Sequence, residues 1–115
     1  MPEIDVTKGL FDPAILDLSD ANIDTGDTYT SAWRYCGDYK NIYATVYADQ
    51  VLQVHLEFSN NGADIDAISN IYDSQVSVGD GYDWPVMGRY VRMLAANASG
   101  VNTTTCRLRM QGKRT

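Results

Sequence analysis

The sequence predicts an all-β protein, an antiparallel β-sandwich of jelly-roll-like form with an extended N-terminal arm, and three observations carry that expectation. From Thr28 onward apolar and polar residues alternate with a period of two, the spacing that sends successive side chains to opposite faces of a strand. Clusters of Asn, Asp and Gly separate these runs, as hairpin turns require. Among the 15 acidic residues, Glu3 and Glu57 are the only glutamates; the rest are aspartate, which favours turns and caps over helix interiors. A chain of 115 residues has room for one such domain.

Residues 1–26 show no sustained period and contain Pro2, Gly9, Pro13 and Gly26, so they are assigned to an arm, and 27–115 to the sandwich. The arm's apolar points, Leu10, Phe11, Ile15, Leu16 and Leu18, are too many for a disordered tail and are expected to lie along a surface, of the same domain or of a neighbouring copy. Asp12 as N-cap with Pro13 at the first helical position would also support one helical turn through Leu18.

The first strand is expected over 28–35, rich in Thr, Tyr and Trp, with Cys36-Gly37-Asp38 ending it. The second spans 40–47, with Ile42, Ala44 and Val46 on one face and Tyr43, Thr45 and Tyr47 on the other. Over 51–58 Leu52, Val54, Leu56 and Phe58 point one way and Gln53, His55 and Glu57 the other, a pattern an α-helix would scatter. Ser59-Asn60-Asn61-Gly62 is a tight turn, because Asn and Gly tolerate positive φ. A strand is expected over 70–78, then a turn or open loop over 78–81, and Tyr82-Asp83-Trp84-Pro85 places an aromatic pair beside a proline that suits an edge or a loop. Strands over 89–96 and 104–111 complete the set, the last alternating Cys106, Leu108 and Met110 with Arg107, Arg109 and Gln111.

No run of 18 apolar residues occurs, and Met1-Pro2-Glu3-Ile4-Asp5 is unlike a secretory signal, so neither a membrane partner nor export by the usual route is expected. Cys36 and Cys106 are too few for a disulfide framework and are expected as buried free thiols. The net charge of −6 is uneven: every acidic residue precedes Gly88, and Arg89, Arg92, Arg107, Arg109, Lys113 and Arg114 follow it. An acidic chain repels a polyanion, so no nucleic-acid partner is expected, whereas opposite poles favour contact between copies.

Nucleophilic catalysis by Ser or Cys needs a base within reach, and His55 is the only histidine, set mid-strand between Val54 and Leu56. It is expected at a surface or interface, and the protein is not expected to be an enzyme. One His and two distant Cys give no zinc pair, and residues 60–66 lack the EF-hand spacing, so an Asx-rich turn is expected there and neither metal nor cofactor is assigned. The aspartate pairs Asp64/Asp66 and Asp80/Asp83 are of the type that does acid–base chemistry, but such loops are common. Of the 12 aromatic residues, Tyr82 and Trp84 form the alternative ligand site, where flat rings would stack on sugars; tyrosines on strand faces also suit protein interfaces. Asn97-Ala98-Ser99 and Asn102-Thr103-Thr104 match the glycosylation pattern and are read as loop residues.

Three segments, Thr28-Tyr29-Thr30-Ser31-Ala32-Trp33, Leu52 to Phe58 with Ser59-Asn60-Asn61-Gly62, and Gly88-Arg89-Tyr90-Val91-Arg92 followed by Asn97, together resemble the small β-sandwich structural proteins of tailed bacteriophages, of the head-decoration or cement type. The resemblance spans residues 28–111. Related modules carry an aromatic after the turn glycine, where this chain has Ala63-Asp64-Ile65-Asp66. It implies a non-enzymatic virion protein on the capsid exterior, assembled in the host cytoplasm, that binds the major capsid protein and stabilises the head as a homotrimer. The implied capsid or subunit contacts are Leu10, Phe11, Ile15, Leu16, Leu18, Arg107 and Arg109. The alternative is a glycan- or receptor-binding module of a phage tail or fibre, working through Tyr82 and Trp84.

Overall fold

The computed structural model describes residues 14–114. Ten strands are found among them: β1 (Ala14–Ser19), β2 (Thr28–Thr30), β3 (Arg34–Tyr35), β4 (Asn41–Ala48), β5 (Gln53–Ser59), β6 (Ala67–Ile68), β7 (Tyr72–Asp73), β8 (Asp80–Pro85), β9 (Tyr90–Ala96) and β10 (Cys106–Lys113). One sheet has the order β1-β10-β4-β8; the other has β2-β9-β5-β6, with β3 also on β9 and β7 also on β5. The first strand pairs with the last, β2 with β9, β4 with β8 and β5 with β6, all antiparallel. This nesting, one long hairpin rolled into two sheets, is the jelly roll.

Alternation places the core between the sheets. Ile42, Ala44 and Val46 of β4 and Leu108 and Met110 of β10 face Val54, Leu56 and Phe58 of β5 and Val91, Met93 and Ala95 of β9, all fully or almost fully buried. At the β5 turn, Gly62 has φ +76 and Asn61 Oδ1 accepts the N–H groups of Ala63 and Asp64, both at 2.9 Å. The Asp66 carboxylate accepts the Asn60 N–H at 2.7 Å. The oxygens of this loop thus close on its own backbone, as an Asx-rich turn does.

The arm boundary needs correction. β1 runs alongside β10 from Ala14 opposite Gly112 to Ser19 opposite Leu108, and Ile23 is a core residue, so the sandwich includes 14–26 and the helical turn expected near Pro13 is a strand. A bulge between Ile15 and Asp17 hid this strand by breaking the alternation. It turns Ile15 and Leu18 outward, both 56% exposed, and buries the Asp17 carboxylate, which accepts from the Tyr29 hydroxyl and pairs with Arg34 Nη2 at 3.4 Å. Those partners belong to β2 and β3, so Asp17 ties the edge of one sheet to the other.

Three buried serines explain why expected strands are broken. Ser31 donates its N–H to the Met93 carbonyl and accepts the Met93 N–H on its hydroxyl, both at 2.9 Å. Ser69 does the same for Leu56, and Ser74 for Leu52. A side-chain oxygen replaces the neighbouring strand's carbonyl, so the partner stays satisfied while the serine's own segment leaves the sheet. The stretch 28–35 is therefore split, and 65–78 contributes only β6, β7 and a parallel bridge from Val76 to Ala48. Ser69→Ala strands the buried Leu56 N–H and is expected to cost about 1–3 kcal/mol in urea unfolding.

Cys36 and Cys106 are free and buried. Burial pushes the Cys36 thiol up from 9.0 to about 11, and burial with the Asp17 hydrogen bond pushes the Tyr29 phenol up from 10.0 to about 12. Both raised values favour the protonated, folded form, so their stabilisation is complete below pH 9 and is lost as pH rises through 11 and 12. The melting temperature is expected to hold at moderately alkaline pH and fall steeply across that window, as circular dichroism melts would record.

Candidate interaction face

The outer face of the four-stranded sheet gathers four of the sequence-assigned contact residues. β10 alternates Cys106, Leu108 and Met110 into the core, which leaves Arg107, Arg109, Gln111 and Lys113 outward. The antiparallel register sets Arg107 opposite Tyr47, Arg109 opposite Thr45 and Gln111 opposite Tyr43. On the other flank Ile15 lies opposite Gln111 and Leu18 opposite Arg109. Ile15, Leu18, Arg107 and Arg109 are thereby brought onto one surface. Leu16 is not among them: it is half-buried and packs against the core. Leu10 and Phe11 lie outside the described residues.

The polar groups of this face are ordered by contacts. The Arg107 guanidinium sits 4.3 Å over the Tyr47 ring and the Lys113 ammonium 5.1 Å over the Tyr43 ring, where the π face attracts a cation. Arg109 reaches the Asp20 carboxylate at 2.9 Å and donates to the Ser19 carbonyl at 3.2 Å, which secures β1 to its neighbour. The hydroxyl end of Tyr43 occupies the space that a side chain at Gly81 would need, so the glycine there makes room for the ring. Thr45, Tyr47, Gly79, Arg107 and Arg109 edge a depression of about 180 Å³. Small-molecule sites enclose about 300–1,000 Å³, so this hollow suits a single side chain of a larger partner.

Tyr82 and Trp84 are placed otherwise than the glycan alternative requires. They stand on edge strand β8, not in a loop, and Trp84 is 3% exposed with its ring in the core. Its indole Nε1 is buried without a hydrogen-bond partner. Tyr82 stacks on Tyr72 at 5.0 Å and its hydroxyl donates to the Asp80 carboxylate at 2.8 Å. Burial, reinforced by Asp80, raises the Tyr82 phenol above its ordinary range. These rings bury one another and close the side of the sandwich between β5 and β8.

A second polar line crosses the outer face of the six-stranded sheet. Arg92 Nε donates to Glu57 Oε1 at 2.7 Å, the Trp33 ring covers the Arg92 guanidinium at 4.4 Å, and His55 Nε2 stands 3.9 Å from Glu57 Oε2. Alternation along β5 placed Glu57 on the solvent side, and its burial at 7% was not anticipated, because the register that sets Glu57 opposite Arg92 is a long-range property. Asn97, the first glycosylation-pattern residue, is 1% exposed, and its amide donates to the Ile23 and Val101 carbonyls, so it fastens a loop.

No protein-family profile matches the sequence, and no curated protein resembles it in sequence. A designed double-stranded β-helix solved by NMR is 13% identical over 82% of this chain and 97% of its own, with a TM-score of 0.49. The crystal structure of the PBSX exported protein XepA superposes on the whole of this chain with a TM-score of 0.78 and 15% identity. The match covers 40% of that chain, so the present one spans two-fifths of its length. What the two share at that identity is a fold, an all-β sandwich that occurs in an exported protein of the PBSX phage.

Proposed function

We propose that this chain is a non-enzymatic structural protein of a tailed bacteriophage, a capsid decoration protein that binds the major capsid protein on the outside of the head and assembles there as a trimer. The observation that carries the reading is the outer face of the four-stranded sheet, where exposed Ile15 and Leu18 adjoin Arg107 stacked on Tyr47. Arg and Tyr with a few apolar anchors are what protein interfaces concentrate. A broad face with one shallow hollow fits a large partner better than a small ligand. The strand that supplies Ile15 and Leu18 follows directly on Leu10 and Phe11, so arm and face can engage one continuous partner surface. Repetition over a lattice adds avidity to contacts that are individually weak.

The test is co-sedimentation with empty heads of the encoding phage assembled without this protein. Saturable binding is expected, and Leu18→Asp combined with Arg107→Glu is expected to weaken it about tenfold or more while the fold is kept. Failure of the intact protein to bind heads, or specific hits on a glycan array in its place, would overturn the reading.

A further inference from the structure

Among the described residues, Arg107 is the one cation that β10 sends outward without an oxygen acceptor. Arg109 is taken up by the Asp20 carboxylate at 2.9 Å and the Ser19 carbonyl at 3.2 Å, and Lys113 stands 3.9 Å from Asp83. The exposed Arg107 guanidinium sits 4.3 Å over the Tyr47 ring and forms no ion pair or hydrogen bond within the described residues. A ring face attracts the charge but offers no lone pair to the five N–H donors of the fork. The same contact orders a long side chain in advance, which lowers the entropy cost of engaging it later. Arg107 also edges the depression of about 180 Å³, beside Thr45 and Tyr47 of β4. No acidic residue lines that depression, and a Cβ at Gly79 would meet nothing within 4 Å, so this wall is open.

We propose that this depression receives the carboxylate of an aspartate or glutamate of the capsid protein, held by the Arg107 guanidinium. Two carboxylate oxygens match the guanidinium fork, which gives paired N–H···O bonds stronger than neutral ones. The space admits one side chain, and the Thr45 and Tyr47 hydroxyls, which have no hydrogen-bond partner among the described residues, add donors beside it. A nucleic-acid phosphate is disfavoured, because it arrives as part of a polyanion and the chain carries a net charge of −6. Arg107 thereby sets specificity: a partner surface that brings an amide or a lysine to this point leaves the covered guanidinium without its counter-charge. The inference deepens the capsid reading and rests on it for the identity of the partner, whereas the anion site rests on the geometry of Arg107.

Two measurements on the intact protein test it. In the first, sodium acetate is titrated at low ionic strength against sodium chloride as control, and the Nε–Hε resonances of the arginines are followed by NMR, with Arg107→Gln identifying the Arg107 signal by its loss. The Arg107 resonance is expected to shift and saturate at an acetate concentration at least about fivefold below that needed for Arg89, which is exposed just before β9. A response no tighter than that of Arg89 would mean an adventitious ion only and would overturn the site. In the second, Arg107→Gln is expected to bind empty heads about tenfold more weakly than wild type, and this difference is expected to vanish on heads whose surface carboxylates have been amidated with a carbodiimide and glycinamide, since both changes remove the same pair. Equal binding of variant and wild type to untreated heads, or a difference that persists on amidated heads, would overturn the carboxylate contact and leave the capsid reading standing. A wild-type protein that responds to acetate as expected but binds no heads would overturn the capsid reading, and with it the partner, and leave the anion site standing.

Discussion

Phe58→Ala is expected to remove about 3–5 kcal/mol of stability, a large share of the roughly 5–15 kcal/mol that a domain of this kind possesses. Phe58 is fully buried on β5, opposite Val91 of β9 on one side and Ala67 of β6 on the other. Because both flanking strands hold β5 by backbone ladders, the site cannot collapse around the missing ring, and the cavity cost adds to the lost burial. Gly88 makes the packing tighter: a Cβ there would fall 3.1 Å from that of Phe58. Urea unfolding should show a lower midpoint at an unchanged slope. Leu18→Ala, on the open face, is expected to stay within about 0.5 kcal/mol of wild type. A midpoint for Phe58→Ala equal to wild type would mean that β5 does not occupy the centre of the sheet.

The strands that were legible in the sequence are those whose two faces meet different environments. β4, β5, β9 and β10 alternate because one face meets the opposite sheet and the other does not, and a period of two records that difference. β1 is read from the sequence as an arm, and β8 stays open between an edge and a loop, because edge strands are built to resist pairing. Asp80, Gly81, Asp83 and Pro85 depress strand propensity for that purpose, and the β1 bulge inserts an inward aspartate where the pattern calls for an apolar residue. Asp17 faces inward only because Tyr29 and Arg34 are there to receive it, which no local window contains.

The same reasoning divides the site. Arg107 and Arg109 were legible because alternation with Cys106, Leu108 and Met110 fixes their face. That Leu18 stands opposite Arg109, and Tyr47 opposite Arg107, required the register of three strands far apart in the chain. Tyr82 and Trp84 were assigned outward because a loop reading exposes both; once the segment is a strand, alternation sends Trp84 inward.

Removing residues 2–20 is expected to unfold the protein, whereas removing 2–12 is expected to leave it folded, with a stability from urea unfolding within about 0.5 kcal/mol of wild type. The longer deletion takes away β1, strips the ladder partner from one edge of β10, removes Leu16 from the side of the core, and leaves Tyr29 and Arg34 without the Asp17 carboxylate. A part-buried hydroxyl without its acceptor, the loss of Leu16 from the side of the core and an uncovered sheet edge act together, so cooperative unfolding should vanish in denaturant and circular dichroism. The shorter deletion touches none of these groups. Under the proposed capsid role, a loss of head binding by the shorter form alone would report on Leu10 and Phe11, since the longer deletion would abolish binding merely by abolishing the fold. If the protein lacking 2–20 unfolded at the wild-type midpoint, β1 would be a dispensable appendage and the face formed by Ile15, Leu18 and Arg109 would lose its rigid support.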